Sequence, residues 1–402
     1  CTSEGDANQH HDSSSGGSGA GAAASGPPQS MDAAVVASDV IPAGQRGGHA
    51  AMGGAGHMPQ HMGAAGSTAS ASGTGGKAEA GSAGGAGMMM TAAGAGAAGM
   101  TGTMSYPQLE AAMIGKPEKI ADGFALAESP LWDPCEDRLL FADVAASGGG
   151  KINALAADGT VSMVMSGTDN TNGMAWDIDG SLILAQMKGH VARRDRSGMV
   201  KVIDDGTANL HTPDDVVVRS DGTIYLSDGN FCPVGDLLGF NSALPVFTIK
   251  PNTNTLINSG TVRGPNGIEL SPDEKILYVN GYGDGTISRF DVMPDGTIKK
   301  QATAFATGLS DPDSLCLDAA GNLYVAVSSG IQVIRPDGTK VTLIRMSAAG
   351  GSCTKAGMTN CTFGGPEGKT LYVTAWTAIF KIDNMPIPGL DWMVGKQRAQ
   401  CM

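Results

Sequence analysis

Two stretches decide the fold: residues 213–228, PDDVVVRSDGTIYLSD, and residues 265–280, PNGIELSPDEKILYVN. Each sets a polar residue ahead of a short apolar strand, then a turn of Asp/Gly/Pro type, then a second strand rich in Ile, Leu, Val and Tyr. Working outward, the pattern recurs as AESPLWDPCEDRLLFAD (127–143), TNGMAWDIDGSLILAQ (171–186), PDSLCLDAAGNLYVAV (312–327) and TNCTFGGPEGKTLYVTA (359–375). The second position of each repeat is Glu128, Asn172, Asp214, Asn266, Asp313 and Asn360, at intervals of 44, 42, 52, 47 and 47 residues. A period in the forties built from short strands and tight turns marks propeller blades. A β-sandwich also has regular turns, but it does not require the same polar residue at one place in six successive units.

The expected architecture is therefore all-β, a six-bladed β-propeller over residues 106–402. The strand near Lys119–Ala121 should complete the last blade and close the ring, removing free sheet edges. Asp-Gly pairs at 158–159, 179–180, 221–222, 295–296 and 337–338 fit tight two-residue hairpin turns, since both residues tolerate positive φ. Helical periodicity is absent past residue 120.

Residues 1–105 read differently. They contain 25 glycines with Ala and Ser runs, and the first aromatic residue is Tyr106. Such a segment buries too little apolar surface to offset its ordering entropy, so a long disordered low-complexity N-terminal tail is expected. Of the net charge of −13, −4 lies in this tail and −9 in the remainder. An acidic domain without basic clusters excludes nucleic acid as partner and adhesion to anionic lipid. No apolar run approaches the length of a membrane span. Cys1 followed by a Gly/Ser/Ala tether resembles a mature bacterial lipoprotein. That resemblance implies lipidation at Cys1, export, and a domain held in the periplasm or outside, on an outer membrane or cell surface. The tail's His and Met residues are Cu(I) ligand types, though a plain tether would show the same composition.

In a propeller the innermost strands converge on one axis, so the six polar residues should meet in a ring. Carboxylates facing one another in a narrow channel either hold protons or are neutralised by a cation. An all-oxygen set suits Ca²⁺ first, with Mg²⁺ or Mn²⁺ next, and suits Zn²⁺ poorly. A single Asn or Asp before a strand is more often a turn former, and Asn172 and Asn360 also fit that plainer role.

GFALAESPLW, PDDVVVRSDGTIYLSD, GPNGIELSPDEKILYVN, DPDSLCLDAAGNLYVAV and NCTFGGPEGKTLYVTA resemble the SMP-30/gluconolactonase/luciferin-regenerating-enzyme family, in order, over roughly 118–390. The resemblance implies a Ca²⁺-dependent hydrolase acting on lactones, a small-molecule substrate and a monomeric propeller. By position it implies Glu128, Asn266 and Asp313 as metal ligands. Asp214 and the Asp313-Ser314 pair look like the calcium-dependent bacterial lactonase branch, which adds Asp214 and Ser314 to the set. Many members carry Pro-Asn-Asp where this chain has Pro213-Asp214-Asp215. An amide that would orient a sugar lactone is thus replaced by a charge. The implied reaction is metal-assisted water attack with Asp313 as general base and Asn172 and Asp215 holding substrate. A non-catalytic, Ca²⁺-stabilised propeller that binds a partner is the alternative.

Six cysteines follow Cys1. Cys353 and Cys361 flank a short Gly/Thr/Lys-rich stretch and are expected to pair locally; Cys135 with Cys401 would tie the start of the domain to its end; Cys316 reads as a buried thiol. His190 lies near the expected channel mouth, more in keeping with a turn histidine than a substrate ligand. Arg193, Arg194 and Arg196 read as a solvated hairpin edge.

Overall fold

The structure, a computed structural model, describes residues 105–147, 149–229, 231, 242–347, 357–399 and 401. The tail with Cys1, the loop 232–241 and Cys353 lie outside the described residues.

Every sheet is antiparallel and each expected repeat supplies its strands in chain order. The second repeat forms a four-stranded sheet from Thr171–Trp176, Leu182–Gln186, His190–Arg194 and Val200–Val202. The third uses Thr212–Val218, Ile224–Gly229, Ala243–Ile249 and Leu256–Arg263. The fourth uses Pro265–Leu270, Ile276–Gly281, Thr286–Val292 and Ile298–Lys300, and the fifth Leu315–Leu317, Leu323–Val327, Gly330–Ile334 and Lys340–Arg345.

The expectation of six separate blades needs correcting: the all-β propeller has five sheets. The first and last repeats share one six-stranded sheet, ordered Asn360–Gly364, Thr370–Ile382, Glu118–Asp133, Arg138–Asp143, Lys151–Leu155 and Val161–Ser166. Two strands that change partner along their length fuse them. Thr370–Thr374 pairs with the strand Asn360–Gly364, and beyond Trp376 (φ 44°) the same strand pairs with residues 118–122. Glu118–Asp133 in turn breaks register with that partner after Asp122, at Gly123 (φ 93°), and from Ala127 onward pairs with Arg138–Asp143. The segment around Lys119–Ala121 thus joins the chain's end to its beginning, as its sequence position suggested.

Six innermost strands stand around one axis, each packed on the next, and Asn360–Gly364 packs back on Glu118–Asp133. Apolar faces interlock between neighbouring sheets. Ile183, Val191, Val216, Leu226 and Phe247 fill one such layer, and Tyr225, Val246, Ile268, Leu277 and Phe290 the next. Burial grades outward, and the outermost strand Val200–Val202 is exposed throughout. At the Asp-Gly turns Gly159, Gly180, Gly222, Gly296 and Gly338 all have φ between 75° and 87°. The Asp carboxylate caps the N–H two residues on, as Asp158 does for Thr160 at 2.9 Å and Asp221 for Thr223 at 2.9 Å. These loops are longer by one residue than expected. Ala156 pairs with Thr160 while Gly159 N–H bonds back to Ala156, the type I turn plus left-handed residue of a three-residue hairpin.

Cys135 and Cys401 form a disulfide across a sequence separation of 266. The expected Cys353–Cys361 pairing is corrected: Cys361 is bonded to Cys316. These two occupy adjacent innermost strands, with Cα atoms 5.7 Å apart, so the repeat rather than the chain makes them neighbours. One element was not expected at all. The helix Leu390–Arg398 packs on four innermost strands at the ends remote from the ring positions. Arg398 donates to the carbonyls of Trp176 at 3.0 Å and Val218 at 2.9 Å, and the 135–401 disulfide holds the helix end.

Candidate metal centre and active site

The repeat register places Glu128, Asn172, Asp214, Asn266, Asp313 and Asn360 at the same level of six adjacent strands. Acid and amide alternate around this ring, carboxylates on the odd repeats and amides on the even ones. Close strand approach is built into the sequence by glycine after two of the amides. A Cβ on Gly173 would lie 2.6 Å from the Asp214 carbonyl oxygen, and one on Gly267 would lie 2.5 Å from Ser314 Cα. Gly267 N–H also donates to the Asp313 carbonyl at 3.0 Å, which Asn280 Nδ2 reaches from behind at 2.8 Å.

Glu128, Asn172, Asp214, Asn266 and Asn360 are buried, and Asp313 is half-buried. Asn172 Nδ2 donates to Asp214 Oδ1 in a short contact. What is left over decides the character of the site. Among the described residues, eight buried side-chain N or O atoms lack a hydrogen-bond partner. Four are oxygens at this ring: Asn172 Oδ1, Asp214 Oδ2, Asn266 Oδ1 and, just behind it, Asn280 Oδ1. Buried orphan oxygens are costly, and several aimed at one place call for a cation or a donor between them.

The electrostatics agree. Burial, then the charges of Asp313 and Asp214, push the Glu128 carboxyl well above its ordinary range, against the Ser129 N–H that binds it at 3.1 Å. Burial, then Asp313, Asp215 and Asp228, do the same to Asp214. Positive charge at the axis would relieve both. Among the described residues no three His, Cys, Asp or Glu groups form a ligand cluster unaided. The alternation explains this, because the amides keep the three carboxylates apart and any ion here must take amide oxygens too. The donor set therefore fits a hard oxygen-seeking cation.

Two further expected site residues bond to each other. Ser314, expected as a ligand, donates its hydroxyl to Asp215 Oδ2 at 2.5 Å. Asp215, expected to hold substrate, also accepts from Val216 N at 2.9 Å and Ile268 N at 3.4 Å. Together they cross-tie the third, fourth and fifth innermost strands, and burial lifts the Asp215 carboxyl to about 6. His190 faces Asp204 at 3.5 Å, away from the ring. Arg193 pairs with the buried Asp177 and Arg196 donates to the Ala399 carbonyl at 3.3 Å, so the basic run does more than face solvent. Asn360 Oδ1 accepts from Cys361 N at 2.7 Å, a local structural bond.

The pattern of six repeats carrying this ring matches a known family model. The SMP-30/Gluconolactonase/LRE-like region model matches residues 126–377, well over half the chain. The chain belongs to the SMP-30/gluconolactonase/LRE-like family. A gluconolactonase from Zymomonas mobilis is 28% identical over 304 residues, covering 67% of this chain and 82% of that protein. Regucalcin from Xenopus laevis is 24% identical over 283 residues, covering 64% and 85%. A solved structure of a gluconolactonase from Xanthomonas campestris superposes with a TM-score of 0.58 at 24% identity, covering 70% of this chain and 93% of that one, and shows the shared fold. At the end remote from the ring, the helix Leu390–Arg398 lines a cavity of about 810 Å³ together with Met174, Val216 and Ile268, with Trp392 its own contribution. Sequence reasoning missed this cavity and its acid pair, Glu269 and Asp391. Burial drives both carboxyls up, Asp391 to about 7 and Glu269 further under the Asp391 charge.

Proposed function

We propose that the chain hydrolyses a lactone or related cyclic ester with the help of a divalent cation, Ca²⁺ before Mg²⁺ or Mn²⁺. The ligands in this reading are Glu128, Asp214, Asn266 and Asp313. The observation that carries it is the set of orphan oxygens on Asn172, Asp214 and Asn266, gathered with two carboxyls, Glu128 and Asp214, whose proton affinity is raised by burial and by the charge of Asp313. Gluconolactonase among the relatives supports lactone hydrolysis, and regucalcin, named a calcium-binding protein in a solved structure, supports a divalent cation.

A bound cation would supply an electrophile for the ester carbonyl and for the oxyanion that follows. The chain's own groups do the rest. Asp313 is only half-buried, so water can reach its carboxylate and pass it a proton while attacking the carbonyl carbon. Its backbone is fixed from two sides by Gly267 and Asn280, which keeps the carboxylate in place. Asn172 is committed through Nδ2 to Asp214 and presents Oδ1 to accept from substrate or from the attacking water.

The test is turnover of γ- and δ-lactones by the purified chain in Ca²⁺ and in chelator. Hydrolysis should vanish in chelator and in Asp313→Asn, with the Asp313→Asn melting temperature unchanged. Full activity in either case would overturn the proposal. Stabilisation by Ca²⁺ without turnover of any lactone would leave a binding propeller instead.

A further inference from the structure

In the first four repeats a residue one or two places past the second strand stands one tier outside the ring. Val144 N–H donates to the Leu126 carbonyl, Met187 N–H to Asn170 and Tyr282 N–H to Gly264, at 2.9, 3.0 and 2.9 Å. Phe231 N–H donates to Thr212 Oγ1 at 2.9 Å. Each acceptor lies two positions before a ring residue in sequence: 126 before Glu128, 170 before Asn172, 212 before Asp214 and 264 before Asn266. Leu126 and Thr212 lie on the innermost strands, while Asn170 (φ 54°) and Gly264 (φ 56°) turn the chain into them. In the last repeat Trp376 holds the corresponding place, opposite Ala127.

These side chains pack into one cluster drawn from several repeats. Leu126, Val144, Met187 and Phe231 form one buried cluster, with Tyr282 and Trp376 packed on it and keeping part of their surface open. Phe231 meets Tyr282 edge-on at 5.8 Å. Burial, with the charges of Asp313, Asp311 and Asp214, raises the Tyr282 hydroxyl above its ordinary range, so that ring lies within the field of the ring carboxylates. The fifth repeat breaks the pattern. There Ser328 N–H donates to the Ser310 carbonyl at 3.0 Å and the two hydroxyls bond at 2.7 Å. Among the described residues the collar is therefore hydrocarbon or aromatic ring on five sides, with the Tyr282 hydroxyl on the fourth repeat, and carries a serine pair on the side of Asp313.

We propose that the substrate is a lactone with an aliphatic or aromatic body, not a polyhydroxylated sugar lactone; this rests on the hydrolase reading above. An apolar collar gains by covering hydrocarbon and leaves sugar hydroxyls without partners. The serine notch leaves the polar ester edge room on the Asp313 side.

The test compares kcat/KM for δ-decalactone and glucono-δ-lactone on the full chain with Ca²⁺. The collar predicts a ratio of about a hundred or more in favour of the alkyl lactone, the scale on which binding pockets discriminate. Trp376→Asn keeps a residue that tolerates positive φ while removing the ring, and should lower that ratio about tenfold. Met187→Gln, nearly the same shape, should move it the same way and serves if Trp376→Asn fails to fold. Efficient turnover with the sugar lactone preferred would overturn the collar proposal alone. If neither lactone is turned over, the hydrolase reading fails, and the matching alkyl and polyhydroxy lactams, titrated by tryptophan fluorescence, decide the collar. Tighter alkyl lactam binding supports it, and equal or weaker binding overturns it.

Discussion

Replacing Asp391 by Asn should make the protein more stable at alkaline pH. Asp391 sits in the first turn of the closing helix, accepts from Thr362 Oγ1 at 3.2 Å, and faces Glu269, with Asp215 beyond and Arg398 on the helix's last turn. Burial holds its carboxyl at about 7. An unfolded Asp titrates near ~3.9. The folded protein therefore keeps a proton that the unfolded chain has lost, and stability falls as pH rises between these two values. The contribution is whole below the unfolded value and gone above the folded one. Three pH units at ~1.4 kcal/mol each amount to about 4 kcal/mol. Asn keeps an acceptor for Thr362 and adds a donor for Glu269, so we expect about 2–4 kcal/mol of this to be recovered at pH 8.5. For a domain of this size that raises the melting temperature by roughly 5–10 °C. At pH 5 the gain should shrink to less than half. Thermal melts of parent and variant at both pH values, at fixed Ca²⁺, read the difference. A variant no more stable than the parent at pH 8.5, or one with the same gain at both, would refute the reasoning.

Two other outcomes follow from the packing. Gly267→Ala puts a methyl 2.5 Å from Ser314 Cα and 2.9 Å from the Asp313 carbonyl oxygen, both backbone positions. It should cost about 1–3 kcal/mol in a denaturant melt and weaken Ca²⁺ binding in calorimetry, because the strand carrying Asp313 must move. Cys135→Ser frees the closing helix from the first repeat and should cost about 2–5 kcal/mol, with amide exchange rising first in residues 390–399.

The ring was legible because position in a repeat becomes position around an axis. Glu128, Asp214, Asn266 and Asp313 needed only the period to be brought together. The same principle, applied to the cysteines, would have given the right pair. Cys316 and Cys361 are 45 residues apart, about one repeat, yet nearness along the chain suggested Cys353. The sheet count escaped because Gly123 and Trp376 let strands change partners without a visible break in the β-rich sequence. The closing helix escaped because nine residues, LDWMVGKQR, carry too little periodicity to stand out and are shaped by what they cover. The collar was hidden for a different reason. Val144, Met187, Phe231, Tyr282 and Trp376 share a place and a polarity but no residue type, so no motif announces them. The bond between Ser314 and Asp215 was not legible, because neighbours of a ring residue can face other partners, here each other.

The account's central claim is that side chains from successive repeats meet at one axis and hold a hard cation there. Calorimetric titration of Ca²⁺ into the chelator-stripped protein tests it most directly, alongside Glu128→Gln and Asn266→Ala, which lie on different repeats. The account predicts saturable binding by the parent and at least tenfold weaker binding by each variant. Binding by both variants as tight as the parent's, or none by the parent, would contradict it.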